Sequence, residues 1–222
     1  MGQVAKTFRK RIAKTIQCRY LLYLPPGYAR AKHRWPLVLF LHGAGERGTD
    51  LSLVRVHGLP KLAAAGQQFP FLIVSPQCAP DQWWDPETLE VLLEAVMRQY
   101  RIDPARVYVT GLSMGGYGTW ALALRFPHRF AAIAPICGGS IPNLAPRLKH
   151  LPIWVFHGAK DDIVPPSRSE EMVEALRECD GKVRFTLYPD AGHNSWSAAY
   201  ENPELYDWLL SHRRKPTRTS RP

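Results

Sequence analysis

No stretch of this sequence stays apolar for the roughly eighteen residues that a membrane-spanning helix needs, so no helical span is expected. Cysteine is sparse and scattered. Cys18, Cys78, Cys137 and Cys179 stand 60, 59 and 42 residues apart, with no C-x-x-C pair and no histidine placed to complete a zinc pattern. That spacing argues against a metal site and a disulfide framework alike, and four free thiols in a cytoplasmic protein are the expectation. A leader peptide is not expected either. Lys6, Arg9, Lys10, Arg11 and Lys14 resemble a charged n-region, but the apolar run Tyr20–Leu24 is too short and ends at Pro25-Pro26.

Acidic residues are missing altogether before Glu46, across a stretch holding nine Lys or Arg. The net charge of +10 therefore belongs to the ends of the chain: residues 46–211 carry fifteen basic and nineteen acidic side chains, whereas the tail from His212 adds five basic ones. No nucleic-acid-binding motif accompanies this charge, so it reads as a solvated basic rim and no nucleic-acid partner is expected. At 222 residues, with 45% hydrophobic and 22% charged side chains, the composition is that of one ordinary globular domain.

What is present is organised around Val107-Tyr108-Val109-Thr110-Gly111-Leu112-Ser113-Met114-Gly115-Gly116. A β-branched and aromatic run leads into a glycine-rich corner and then into a helix, with Ser113 at the apex of G-x-S-x-G. In a nucleophile elbow this geometry projects the serine hydroxyl from the sheet edge and turns the next N–H, here that of Met114, toward a developing oxyanion. Phe8–Ile12 and Ile16–Leu24 read as a hairpin. Leu37–Leu41 and Phe71–Ser75 read as short buried strands, and Ala131–Ile136, Pro152–Phe156 and Val183–Tyr188 as further strands. Between them, helices are expected from Asp85-Pro86, through Met114–Phe126, from a capping box of Ser167 with Glu170, and over Pro203–Leu210. Residues 51–65 are helix-compatible but interrupted by Gly58 and Pro60. The pattern predicts an α/β domain with a mostly parallel sheet covered on both faces and an antiparallel N-terminal edge. It spans 1–222, with 1–7 and 212–222 as flexible basic termini.

Reactive residues of such a sheet lie beyond the carboxyl ends of its strands. Four predicted loops there carry His42 to Gly48, Ser113, Asp161 or Asp162, and His193. A serine hydroxyl needs an imidazole to take its proton, and that imidazole needs a carboxylate to fix its tautomer; the order Ser, Asp, His meets this requirement from three separate loops. His42 and His157 each precede a glycine at a strand end and read as turn residues, with His42 kept as a candidate substrate contact. Trp83 and Trp84 are further candidates for the site mouth.

The segments Leu41-His42-Gly43-Ala44-Gly45-Glu46-Arg47-Gly48, Phe156-His157-Gly158-Ala159-Lys160-Asp161 with Val164-Pro165, and Tyr188-Pro189-Asp190-Ala191-Gly192-His193, taken with the elbow, carry a resemblance. From Phe8 to Ser211 the chain resembles a lid-less carboxylesterase of the α/β-hydrolase superfamily. That group includes phospholipase/carboxylesterase relatives, feruloyl-esterase-like enzymes and predicted peptidases. The resemblance implies a Ser113, Asp161 and His193 triad, an oxyanion hole from the N–H groups of Ala44 and Met114, no cofactor and no metal. It implies a serine esterase acting on a small-molecule ester through an acyl-enzyme. Acyl-protein thioesterases carry glutamine after the serine and an Asp-Thr pair where this chain has Glu46-Arg47, which favours plain ester hydrolysis. The alternatives are a peptidase, a thioesterase or lysophospholipase, and a catalytically silent binding protein on the same fold.

Overall fold

The computed structural model describes residues 2–214; the basic tail expected over 212–222 lies outside the described residues from 215 on. In chain order the strands are β1 (Tyr20–Tyr23), β2 (Trp35–Leu41), β3 (Leu72–Pro76), β4 (Ile102–Leu112), β5 (Ala132–Ile136), β6 (Ile153–Gly158) and β7 (Val183–Tyr188). The helices are α1 (Gly58–Ala64), α2 (Pro86–Gln99), α3 (Met114–Arg125), α4 (Ser167–Glu178), α5 (Trp196–Glu201) and α6 (Pro203–Ser211). The strands form one sheet in the order β1-β3-β2-β4-β5-β6-β7. Only β1 runs antiparallel, pairing Tyr20 with Pro76 and Tyr23 with Ile73.

Alternation along the strands divides the core between two faces, as a period of two requires. Leu37, Leu39, Leu41, Val107, Val109, Ile133, Ile153 and Val155 face one side, where they meet Leu93 and Val96 of α2, Trp120 and Ala123 of α3 and Met172 and Leu176 of α4. Val38, Phe40, Tyr108, Ala134, Trp154 and Phe156 face the other, under Leu59 of α1, Tyr200 of α5 and Leu209 of α6. The chain leaves β2 toward β3 in one direction and leaves β4 toward β5 in the other. The β2–β4 boundary is therefore the topological switch point, where ligands of open α/β sheets bind. Among the described residues no helix is long and apolar enough to cross a membrane, and all four cysteines are free.

Three local expectations are corrected. The opening hairpin does not form: residues 8–19 have no strand, and Phe8 and Ile12 are 86% and 82% exposed. Ala13-Lys14-Thr15 offers none of the glycine or asparagine that a tight hairpin turn demands, and β1 finds its partner in the free edge of β3 instead. The Ser167–Glu170 capping box is absent because Pro166 is the N-cap and Ser167 already the first helical residue, with no side-chain cap hydrogen bond. Two prolines with fixed φ start this helix. Between residues 51 and 65 the chain makes a 3-10 turn, Leu53–Arg55, and then, after extended His57, α1, which starts at Gly58 with φ +62° and contains Pro60 in its first turn, so that Pro60 does not interrupt it.

Backbone contact is closest at the start of α3. A Cβ on Gly115 would stand 2.0 Å from the Leu41 carbonyl oxygen, and one on Gly116 2.3 Å from that of Ile136. Neither neighbour is a side chain that can swing aside. Gly115→Ala is expected to cost about 3 kcal/mol or more of stability, read as a lower denaturant midpoint with an unchanged slope.

Candidate active site

Ser113 sits between β4 and α3 at φ +53°, ψ −116°, a conformation that costs a non-glycine residue on the order of 1–3 kcal/mol and persists only where its surroundings impose it. They do so here through its own N–H, which is 3.0 Å from the Ile136 carbonyl and 3.2 Å from Cys137 Sγ. The hydroxyl lies 3.0 Å from His193 Nε2, and His193 Nδ1 lies 2.8 Å from Asp161 Oδ2. Nδ1 faces a carboxylate, so it carries the hydrogen and leaves the Nε2 lone pair for the serine proton. The three side chains come from the loops after β4, β6 and β7, all at one edge of the sheet.

Asp161 Oδ1 accepts from the N–H groups of Ile163 and Val164, at 3.0 and 2.9 Å. Burial pushes this carboxyl up, but the bond from His193 and the two backbone N–H groups outweigh it and hold Asp161 below the ordinary carboxylate value. Asp162 is exposed. Ala44 and Met114 are each the first residue of a helical turn, so neither N–H has an intrahelical partner. The two turns adjoin: a Cβ on Gly43 would lie 2.9 Å from Leu112 Cδ1 and 3.7 Å from Ser113 Cβ.

His42 and Trp84 are not at a site mouth. His42 is fully buried; Nδ1 donates to the Gly43 carbonyl at 2.6 Å and Nε2 accepts from the Cys78 N–H at 3.0 Å. Burial lowers its pKa to about 4. Trp84 is buried beneath the same loop, its ring 4.7 Å from that of His42 and its Nε1 donating to the His42 carbonyl at 3.1 Å. Both hold the Ala44 turn in place. Trp83 is 64% exposed and meets Tyr117 edge-on at 6.1 Å. Arg47 does not pair with Glu46; its Nε donates to the Ala44 carbonyl at 3.0 Å. Glu46 lies between the two imidazoles of His42 and His57, 3.8 Å from each.

Two neighbours escaped the sequence reading. Trp196 stands edge-on to both His193 and His57, at 5.2 and 5.3 Å; nothing in its spacing signals this, because α5 itself was not foreseen. Cys137, at φ +40°, backs Ser113. The donor atoms of Cys137, Asp161 and His193 lie within 4.8 Å of one another. Asp161 and His193 are engaged with each other, and burial lifts the Cys137 thiol to about 12, which disfavours the thiolate a metal needs.

The sheet order and its helices define a class, the α/β-hydrolase fold. A sequence profile of the dienelactone hydrolase family matches residues 81–204, and the chain belongs to that family. A thermostable esterase of known crystal structure is 36% identical and superposes with a TM-score of 0.75, over 88% of this chain and 59% of that one. A probable feruloyl esterase C from Aspergillus terreus is 26% identical over 73% of this chain and 62% of its own length. A poly(3-hydroxyalkanoate) depolymerase C from Paucimonas lemoignei is 26% identical over 66% and 45% respectively. The chain thus spans 45% and 62% of these two curated relatives.

The neutral, buried His42 makes stability depend on pH. Its folded value of about 4 lies below the unfolded ~6.5, so between these the unfolded chain binds the extra proton. Stability from this group is complete above ~6.5 and falls by up to about 3 kcal/mol as pH drops to 4. Denaturant midpoints from pH 7 to 4 should follow that loss, and His42→Gln, though less stable at pH 7, should lose less over the interval.

Proposed function

We propose that the protein is a serine carboxylesterase that hydrolyses short-chain esters of small molecules through an acyl-enzyme. The observation that carries the reading is the unbroken hydrogen-bonded chain from Ser113 through His193 to Asp161, at 3.0 and 2.8 Å, beside two unspent N–H groups. In this reading His193 takes the serine proton as the hydroxyl attacks the ester carbonyl. The N–H groups of Ala44 and Met114 then receive the oxyanion, and Asp161 supports the imidazolium. His193 next hands the proton to the departing alcohol. Water, activated by the same imidazole, releases the acid and restores Ser113.

Trp83 and Tyr117 form an aromatic edge one helical turn from Ser113, suited to the flat or apolar part of a substrate. A preference for short acyl groups is supported by the segment between β5 and β6. It is taken up by a 3-10 helix, Pro142–Leu148, that buries Ala145 and Leu148 in the core and packs on α4. A long acyl chain finds little apolar wall there to repay its added methylenes at ~0.8 kcal/mol each.

Ser113→Ala should lower kcat on chromogenic acetyl and butyryl esters by on the order of 10⁶ without changing the unfolding transition; a variant keeping a tenth of the activity removes the nucleophile assignment. Asp161→Asn should cost about 10⁴, the figure known for the equivalent change in a serine protease, and Asp162→Asn less than about tenfold. Across an acyl series from acetyl to palmitoyl, kcat/KM should peak at the short end. A steady rise with chain length contradicts that preference.

A further inference from the structure

Asp161 has a second imidazole. His157, at the end of β6, is completely buried, and its Nε2 lies 3.1 Å from Asp161 Oδ2, the oxygen that also accepts from His193. The same Nε2 is 2.9 Å from the Val164 carbonyl. Both neighbours are acceptors only, so Nε2 must carry a hydrogen. Nδ1 meets Ser169 Oγ at 2.7 Å, and that hydroxyl is 2.8 Å from the Gly138 carbonyl. Ser169 is itself fully buried on the first turn of α4. The ring is thus held at both nitrogens, by the loop after β6 and by α4, with the one Nε2–H shared between the Val164 carbonyl and the Asp161 carboxylate.

We propose that His157 is a positioning residue for the reaction: its Nε2–H fixes Asp161 and takes up part of the carboxylate's charge, which limits how strongly Asp161 favours the protonated form of His193. The inference rests on the Ser113–His193–Asp161 reading above. With His157 in place each carboxylate oxygen has two donors, Oδ1 from Ile163 and Val164 and Oδ2 from the two histidines. Without it, Oδ2 keeps only His193. A carboxylate with fewer donors bonds the remaining one more strongly, so the imidazolium persists to higher pH and the free base needed for attack appears later.

Other titratable groups around this cluster do not reproduce that effect. Cys137, just after β5, and Tyr117 of α3 are both raised by burial and stay neutral through the assay range. Arg168 of α4 keeps its charge throughout and lies 4.0 Å from Glu171, and Lys160 pairs with Asp190 at 2.7 Å on the surface.

The test is the pH profile of kcat/KM on a short chromogenic ester. His157→Phe keeps a ring but has no donor; it should lower kcat about tenfold and move the half-rise of the profile upward by roughly half to one pH unit. His157→Gln places an amide N–H near the Nε2 position and should bring the half-rise back toward wild type, even where kcat is only partly recovered. A His157→Phe profile at the wild-type position, or equal shifts in both variants, overturns the proposal, since a purely packing role lowers kcat without moving the profile. Should His157→Phe not fold, Ser169→Ala removes the anchor of Nδ1 and should move the half-rise in the same direction by a smaller amount; an unmoved profile there also overturns it. Ser113→Ala separates the two readings. If that variant remains active the triad itself fails, and if it is inactive an unmoved profile counts against the role of His157 alone.

Discussion

The first turn of α3 lies so close to β2 and β5 that main chain touches main chain, and the site depends on that approach. The Leu41 and Ile136 carbonyls occupy the space that side chains at residues 115 and 116 would need. The helix can begin there only because both residues are glycines, and beginning there forces Ser113 into its left-handed turn at the sheet edge. The same contact brings the unspent N–H of Met114 beside the loop that follows β2. Strain at Ser113 and two missing side chains accompany the placing of the Ser113 hydroxyl and the Met114 N–H together at the switch point of the sheet.

Beyond the elbow, the site is an island of polar groups set in an apolar frame, and it is stable because nearly every member has partners. Asp161 accepts from two backbone N–H groups and two imidazoles; His157 is tied at both nitrogens; His42 spends one nitrogen as donor and the other as acceptor. A buried carboxylate with such a set of donors stays ionised at neutral pH, whereas one without them would neutralise itself. Two of the histidines do no chemistry on substrate in this scheme. They shape the loops on which the reacting groups stand.

The parts read well from the sequence are those whose signal is periodic or punctuated. The buried strands, the α2 start at Asp85-Pro86 and the helix after Ser113 were expected within a few residues of where they lie, because apolar runs, a capping acid with proline and a glycine corner are local signals. Ser113, Asp161 and His193 were picked out by loop order and meet in one hydrogen-bonded chain. What failed was non-local. The N-terminal hairpin lost to an edge already available on β3, and Trp84 looked like a mouth residue although its indole fills the space under the His42 loop. His157 read as a turn residue; its contact with Asp161 spans one turn of loop, and its anchor Ser169 comes from the next helix, a pairing that no spacing rule announces.

Ser113 and His193 are 80 residues apart in the chain, and Asp161 and His193 are 32 apart. The loop bearing His193 follows β7, the last strand in chain order and one edge of the sheet. No fragment ending before that strand contains all three residues, so Ser113 there lacks the imidazole that faces it in the complete fold. The hydrogen-bonded chain of the site is therefore a long-range property of this fold: it exists only where the loops after β4, β6 and β7 are all in place, so helix content alone does not report it.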